Sequence, residues 1–152
     1  KLVYVSASSF NNHKNSADKN VSKDEINEFI KNRYPTISSG QLSDFKYPEN
    51  YPLWDDKYEE LLKFKGFARA LISTIKNHKN LDLENKEISD SNKKVYTIWG
   101  DSDSVVVYND IKEKLNKLIP NRFEYTVPNS GHLPHIENQI DFERYLFDVV
   151  LK

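Results

Sequence analysis

A short strand followed at once by a histidine-bearing loop constrains this chain more than any other feature. Residues 122–127 alternate aromatic or β-branched residues with polar ones, and a period of two places alternate side chains on one face of a β-strand. The side chains on that face are Phe123, Tyr125 and Val127. The turn residues at 128–131 cannot extend the strand, so His132 lies on a loop at its C-terminal end. Because open α/β sheets carry their chemistry at such strand ends, the sequence predicts a functional loop here.

A second loop of the same kind follows an apolar run upstream. Residues 95–99 form this run, Gly100 ends it, and Asp101, Ser102 and Asp103 follow. An aspartate at one strand end and a histidine at another suggest the acid and the base of a Ser-His-Asp relay. In such a relay the base accepts the proton of the nucleophile, and the acid fixes the tautomer of the base.

The elements around these loops predict an α/β fold. Residues 2–5 are continuously apolar, as in a buried parallel strand, and residues 108–119 and 137–151 have apolar side chains at near-helical spacing. The second half of the chain is therefore strand, helix, strand and helix. This alternation implies parallel strands joined by right-handed crossovers.

The middle of the chain is predicted to be mainly helical. Residues 22–25 form a capping box that starts a helix, and Tyr34 and Pro35 are expected to end it. Apolar spacing predicts a helical region over 54–76, with a break or a close contact at Gly66. Three further stretches are predicted to be polar or irregular: residues 11–20, 36–53 and 77–93.

The composition excludes several classes of protein. The net charge of −1, with 30% charged residues, provides no basic surface for nucleic acid. No apolar run approaches the length of a transmembrane helix. The chain has no cysteine, which excludes disulfides and thiolate chemistry and favours a cytoplasmic location.

Taken together, these residues resemble the C-terminal half of an α/β-hydrolase-fold enzyme of the esterase, lipase and epoxide-hydrolase kind. Residues 99–103 (Trp-Gly-Asp-Ser-Asp) are similar to the acid loop of that family, in which the aspartate lies three residues after the glycine. Residues 130–137 (Ser-Gly-His-Leu-Pro-His-Ile-Glu) resemble its histidine loop closely. Residues 66–75 look like the helix that returns from the family's cap to its core.

The resemblance implies both an architecture and a site. It implies parallel strands with flanking helices and a helical cap or lid, divided into a core strand and loop (1–9), the cap (10–65) and the C-terminal core (66–152). By position, Asp103 matches the triad acid and His132 matches the triad base. The implied substrate is a small ester or lipid-like molecule, and no metal or organic cofactor is implied.

One departure from the family concerns the nucleophile. No Gly-x-Ser-x-Gly sequence occurs in the 152 residues, and in the family this nucleophile elbow precedes the strand matched by residues 2–6. The chain also begins with Lys1 and contains no methionine. We therefore expect a piece of a longer protein whose missing N-terminal half is its partner, and no triad-dependent turnover by the 152 residues alone.

Several alternatives stay open at the level of sequence. Asp101 is a rival for the acid, and Ser102 resembles the nucleophile of a different esterase class. The residues His132, His135 and Glu137 could hold a metal ion, although Pro134 disfavours a regular helix presenting them. Aromatic residues at 45–67 could line an acyl pocket or form the core of the cap.

Two alternative functions also stay open. The protein could be a non-catalytic, hydrolase-like binding protein. It could instead be an epoxide hydrolase or dehalogenase with an aspartate as its nucleophile. The residue at the nucleophile elbow would distinguish these possibilities.

Overall fold

The computed structural model describes residues 1–12 and 16–152. Residues 13–15, which belong to the predicted cap and to the polar stretch 11–20, lie outside the described residues. The chain divides into two compact units. The first unit comprises residues 1–11, 44–47 and 80–152, and the second comprises residues 12–43 and 48–79.

The helices of the described residues vary widely in length. They are α1 (Lys23–Gly40), α2 (Trp54–Leu62), α3 (Phe67–Asn77), α4 (Asp82–Asp90), α5 (Tyr108–Leu118), α6 (Pro134–Glu137) and α7 (Gln139–Tyr145). Short 3₁₀ turns lie at Ser8–Phe10, Gln41–Asp44 and Pro48–Asn50, and a π-helical turn lies at Leu146–Val150. Within this part of the chain, no helix combines the length and the apolar character needed to cross a bilayer.

A three-stranded parallel sheet organises the first unit. Its strands are β1 (Leu2–Val5), β2 (Val95–Gly100) and β3 (Phe123–Val127), in the order β1-β2-β3. The register pairs Val5 with Ile98, and Gly100 with Val127. The three strands therefore end at the same edge of the sheet, and the predicted parallel arrangement is confirmed.

Burial differs between the central strand and the first strand. All six residues of β2 are buried, as expected for a parallel strand with a neighbour on each side. The residues of β1 are only half-buried, so the prediction of a fully buried first strand is wrong. Among the described residues, β1 pairs with β2 alone, which leaves its other edge uncovered by a strand.

The core of the first unit forms where β2 packs against α5. Trp99 of β2 contacts Phe10 edge to face, with ring centroids 6.4 Å apart, and Tyr4 of β1 contacts Phe10 at 5.2 Å. The buried cluster consists of Phe10, Val95, Trp99, Val106, Ile111, Leu115, Leu118 and Ile119.

Helix α4 occupies the stretch 77–93, where the sequence predicted a loop. Acidic residues lie in its first turn, where they suit the positive end of the helix dipole. Ile88 packs against the core cluster, and the buried Asn85 accepts a hydrogen bond of 2.7 Å from the hydroxyl of Tyr4. A few tertiary contacts therefore hold this helix. Its sequence has too few apolar residues for a helical periodicity to be recognised.

The final helical region is not the single helix predicted over 137–151. Helix α6 starts earlier, with Pro134 at its first position, where a missing N–H costs nothing. Asn138 has φ −135° and interrupts the helix, and its side chain accepts a hydrogen bond of 3.3 Å from the backbone N–H of Asp141. Asn138 therefore caps α7 as a separate helix.

The second unit confirms two of the local predictions. Ser22 and Glu25 form the expected capping box at the start of α1. Gly66, at φ 92°, separates α2 from α3, as the predicted break requires, and this left-handed conformation favours glycine. Helix α3, which the resemblance assigned to the core, belongs to the second unit; the cap and core boundaries stay a prediction.

The predicted end of α1 at Pro35 is wrong, because the helix continues through this residue to Gly40. Proline inside a helix removes one backbone hydrogen bond and crowds the preceding turn. The turn after Pro35 is stabilised by packing, since α1 contacts α2 and α3. Ser38 is buried there and donates a hydrogen bond of 3.3 Å to Glu59 of α2. Tertiary contacts therefore outweigh the local preference.

Replacing Pro35 by alanine should stabilise the protein. The Pro35→Ala variant restores a backbone N–H to the helix interior, although it also makes the unfolded chain more flexible. We expect the free energy of unfolding to rise by about 1–2 kcal/mol, measured by urea denaturation. The control is Thr36→Ala at the next exposed position, where we expect a change of no more than about 0.5 kcal/mol. A loss of stability on Pro35→Ala would contradict this account.

Candidate active site

The two strand-end loops bring Asp103 and His132 together. The His132 Nδ1 atom lies 3.0 Å from Asp103 Oδ2 and 3.2 Å from Oδ1. Asp103 lies three residues beyond the end of β2, and His132 lies five residues beyond the end of β3. Because these strands are paired neighbours that end in register, residues 29 positions apart in sequence form one hydrogen-bonded pair.

The carboxylate of Asp103 is buried and well supplied with donors. Its side chain is 1% exposed, and Oδ1 also accepts hydrogen bonds from the backbone N–H groups of Val105 at 2.9 Å and Val106 at 2.8 Å. Burial alone would raise the pKa of Asp103. The hydrogen bonds from His132 and from the two backbone N–H groups outweigh it and lower this pKa below its ordinary value. Asp103 is therefore ionised and is an acceptor only.

The ionised aspartate fixes the tautomer of His132. A carboxylate accepts hydrogen bonds but cannot donate them, so the proton of the neutral imidazole lies on Nδ1 and the basic lone pair lies on Nε2. The hydrogen bond with Asp103 raises the pKa of His132, against the effect of burial, and the negative charges of Asp103 and Asp44 raise it further. The basic lone pair of His132 is therefore on Nε2, the ring nitrogen that does not face Asp103.

Glycine at position 100 allows the two loops to touch. A Cβ atom on Gly100 would lie 1.9 Å from the carbonyl oxygen of Gly131 and 2.6 Å from that of Ser130. The backbone N–H of Ser102 donates to the carbonyl of Ser130 at 2.9 Å. Any larger residue at Gly100 would therefore separate the loop of Asp103 from the loop of His132.

Asp101 joins the two loops through hydrogen bonds to the backbone of the histidine loop. Its carboxylate accepts hydrogen bonds from the backbone N–H of Asn129 at 2.9 Å and of Ser130 at 3.3 Å. Lys46 donates to it as well, at 3.2 Å. Ser102, the alternative nucleophile, is exposed and donates to Asp101 at 2.8 Å. Of the two aspartates, Asp103 is the one placed against His132.

A segment from the middle of the chain, residues 44–47, also contacts the histidine loop. The backbone N–H of His132 donates to the carbonyl of Asp44 at 2.7 Å. A Cβ on Gly131 would lie 2.5 Å from the same carbonyl oxygen. The carboxylate of Glu137 links the two segments, because it accepts from Gly131 N–H at 2.6 Å and from Lys46 N–H at 2.7 Å. The sequence did not predict this contact, since Lys46 and Glu137 are 91 residues apart.

These contacts also bear on the alternative of a metal site. Both carboxylate oxygens of Glu137 accept hydrogen bonds from backbone N–H groups, so Glu137 serves as a loop anchor. No group of three or more His, Cys, Asp or Glu residues is arranged to hold a metal ion among residues 1–12 and 16–152.

A cavity of about 370 Å³ lies beside His132. It is lined by Val5, Ser6, His132, Leu133, His135 and Phe142. The aromatic residues at 45–67, which the sequence offered as an acyl pocket or as the core of the cap, do not line this cavity. Phe45 is buried, Phe64 is exposed, and Phe67 packs edge to face against Tyr58 at 6.0 Å. The described cavity thus combines three apolar side chains with the candidate base.

Comparison with known proteins identifies the fold. The family described as the alpha/beta hydrolase fold matches residues 73–139. A comparison with curated protein sequences found no significant match.

Similar solved structures include two esterases and a third hydrolase. The thermophilic esterase of Thermogutta terrifontis has a TM-score of 0.66 at 14% identity, over 99% of this chain and 55% of that one. The esterase of Exiguobacterium antarcticum has a TM-score of 0.67 at 16% identity, over 99% of this chain and 57% of that one. The 2-hydroxy-6-oxo-6-phenylhexa-2,4-dienoate hydrolase of Rhodococcus sp. strain RHA1 has a TM-score of 0.67 at 14% identity, over 100% of this chain and 55% of that one. The chain spans little more than half the length of these structures.

A methyl group at position 100 should disrupt the site. The Gly100→Ala variant places Cβ against the backbone of residues 130–131, which cannot move as a flexible side chain does. We expect a loss of about 3 kcal/mol or more in the free energy of unfolding and a loss of the hydrogen bond between His132 and Asp103. Chemical denaturation measures the first, and the NMR signal of the His132 Nδ1 proton reports the second.

The matched control is Gly40→Ala. A Cβ at Gly40 would meet no atom within 4 Å, so this variant should keep its stability and the His132 signal. If Gly100→Ala behaved like Gly40→Ala, the close approach of the two loops would not be a requirement of the fold.

Proposed function

We propose that this chain, which has the α/β-hydrolase fold, carries the base and the acid of a serine hydrolase that cleaves a carboxylic ester or a related acyl bond. The observation that carries the proposal is the 3.0 Å contact between His132 Nδ1 and the buried carboxylate of Asp103. The similarity to two esterase structures, at low identity, supports an acyl bond as the substrate.

The chemistry follows from the orientation of His132. A serine hydroxyl attacks the ester carbonyl, and His132 Nε2 accepts its proton as the carbon–oxygen bond forms. The resulting imidazolium is stabilised by the negative charge of Asp103. Nε2 then donates that proton to the departing alcohol as the ester bond breaks and leaves an acyl-enzyme. Water hydrolyses the acyl-enzyme by the same two proton transfers.

We propose that the nucleophile lies on a segment of the full-length protein outside these 152 residues. The sequence contains no Gly-x-Ser-x-Gly motif, and the chain spans 55–57% of the esterase structures it resembles. The 152 residues alone should therefore show no triad-dependent turnover. The same reasoning makes the missing segment the source of the oxyanion hole.

The cavity beside His132 supports a small substrate. Its volume of about 370 Å³ is near the lower end of the range for ligand pockets. Leu133 and Phe142 supply apolar contact surface, which suits the short acyl or alkyl part of an ester.

Removal of the imidazole tests the proposal directly. In the full-length protein, His132→Ala should lower kcat for p-nitrophenyl acetate by a factor on the order of 10⁶, because the members of a triad act as a unit. The control His78→Ala changes a histidine of the second unit and should leave kcat unchanged. Unaltered hydrolysis by His132→Ala would rule out its role as the base.

The trapped intermediate then separates the alternatives. Mass spectrometry of the rapidly quenched reaction should find an acylated serine on a peptide outside these 152 residues. A covalent adduct on an aspartate would favour an enzyme of the epoxide-hydrolase or dehalogenase type. Binding without any turnover would favour a hydrolase-like binding protein.

The pH dependence of the reaction should reflect the raised pKa of His132. A base must be neutral to accept a proton, so kcat/KM should rise with pH and reach half its maximum above pH 6.5, the ordinary pKa of histidine. Asp103→Asn removes the charge that stabilises the imidazolium. We expect this variant to move the midpoint to lower pH and to lower kcat by a factor on the order of 10⁴.

The control for this experiment is Asp110→Asn, an exposed position on α5. This variant should keep the midpoint of the parent protein. An upward movement of the midpoint in Asp103→Asn would contradict the assigned direction of the pKa shift.

A further inference from the structure

Ser6 has a backbone conformation that its residue type does not favour. Its φ is 42°, and the one other non-glycine residue with positive φ in the described part of the chain is Asn129. Asparagine tolerates the left-handed region through local hydrogen bonds, whereas serine gains little from it. The backbone N–H of Ser6 donates to the carbonyl of Ile98 at 2.9 Å, so the sheet holds the residue in this position.

The hydroxyl of Ser6 is a second anomaly at the same residue. Ser6 is 6% exposed, and its Oγ atom is buried without a hydrogen-bond partner in the structure. A buried polar group without a partner destabilises the folded state. Glycine at this position would remove both the strained φ and the unpaired hydroxyl. Strained residues of this kind are concentrated at ligand and catalytic sites.

The location of Ser6 relates its hydroxyl to the candidate active site. Ser6 directly follows β1, at the sheet edge where the loops of Asp103 and His132 also lie. It lines the cavity that His132 lines, together with the apolar side chains of Leu133 and Phe142. Its hydroxyl makes no hydrogen bond with His132 in the structure, so we do not assign it as the nucleophile.

We infer that Ser6 is a substrate-positioning residue whose hydroxyl binds an oxygen substituent on the acyl part of the ester. The substrate class is a short-chain ester with a hydroxyl or carbonyl group beside the reacting carbonyl, such as a 2-hydroxy ester. A serine hydroxyl rotates freely and both donates and accepts, so it suits either oxygen function. The apolar remainder of the acyl group packs against Leu133 and Phe142. This inference rests on the proposed function, because His132 marks the reacting carbonyl.

The test compares two esters that differ by one hydroxyl group. In the full-length protein we expect kcat/KM to be higher for ethyl 2-hydroxypropanoate than for ethyl propanoate. Ser6→Ala should lower this ratio about 10-fold, the discrimination that one hydrogen bond provides. A general disturbance of the site by Ser6→Ala would instead lower kcat/KM for both esters alike and leave the ratio unchanged. The control Ser39→Ala, at an exposed position in α1, should keep the parent ratio.

A glycine variant provides a second test that stays valid if the alanine variant misfolds. Ser6→Gly removes the hydroxyl and suits the positive φ, so it should lower the ratio as much as Ser6→Ala while the melting temperature rises. A parent ratio near one would overturn the inference, as would an unchanged ratio in both variants.

Binding without turnover separates this inference from the proposed function. Propanamide and 2-hydroxypropanamide are the probes, and NMR shifts of the His132 ring protons give their Kd values in the full-length protein. The parent protein should bind the hydroxy amide about 10-fold more tightly, and Ser6→Ala should bind both alike. Hydrolysis that persists in His132→Ala would defeat the proposed function alone. Equal Kd values in the parent protein would defeat the role of Ser6 alone.

Discussion

The site depends on a backbone contact between two strand-end loops. The carbonyl of Gly131 occupies the space that a Cβ on Gly100 would need, 1.9 Å away. Because the loops touch at this point, the N–H of Ser102 reaches the carbonyl of Ser130, and Asp103 reaches His132 across 29 residues of sequence. The parallel register of β2 and β3 brings the loops to one edge of the sheet, and the absence of a Cβ at Gly100 determines how closely they approach.

Carboxylates that accept backbone hydrogen bonds recur throughout this edge of the sheet. Asp101 accepts from Asn129 and Ser130, Asp103 accepts from Val105 and Val106, and Glu137 accepts from Gly131 and Lys46. Each of these carboxylates accepts at least two hydrogen bonds, and for the buried Asp103 they offset the cost of burying a negative charge. These hydrogen bonds therefore order the loops. For Asp103 this has a further consequence, because an ionised aspartate orients the imidazole without competing for its proton.

The sequence predicted the features that rest on local pattern. Strand ends, the glycines beside them and the resemblance of the loops to family motifs led to the prediction of Asp103 and His132 as acid and base, because each signal lies within a few residues. The features it missed rest on distant partners. Helix α4 is held by Tyr4, 81 residues from Asn85, and the end of α1 is held beyond Pro35 by packing against α2 and α3. No pattern in a single sequence reveals such contacts. The predictions of a loop over 77–93 and of a helix end at Pro35 rested on local residue types and were wrong.

Two non-glycine residues in the described part of the chain have a positive φ, and their surroundings differ. Asn129 is one of them, and its N–H donates to Asp101 while its side chain accepts from Lys46 at 3.5 Å. Its conformation is therefore explained by its part in joining the loops. Ser6 has the same sign of φ, and its N–H donates to Ile98, but its buried hydroxyl has no hydrogen-bond partner in the structure. A ligand in the cavity beside His132 supplies the partner that the protein does not, because strained residues with unsatisfied polar groups are concentrated at ligand and catalytic sites.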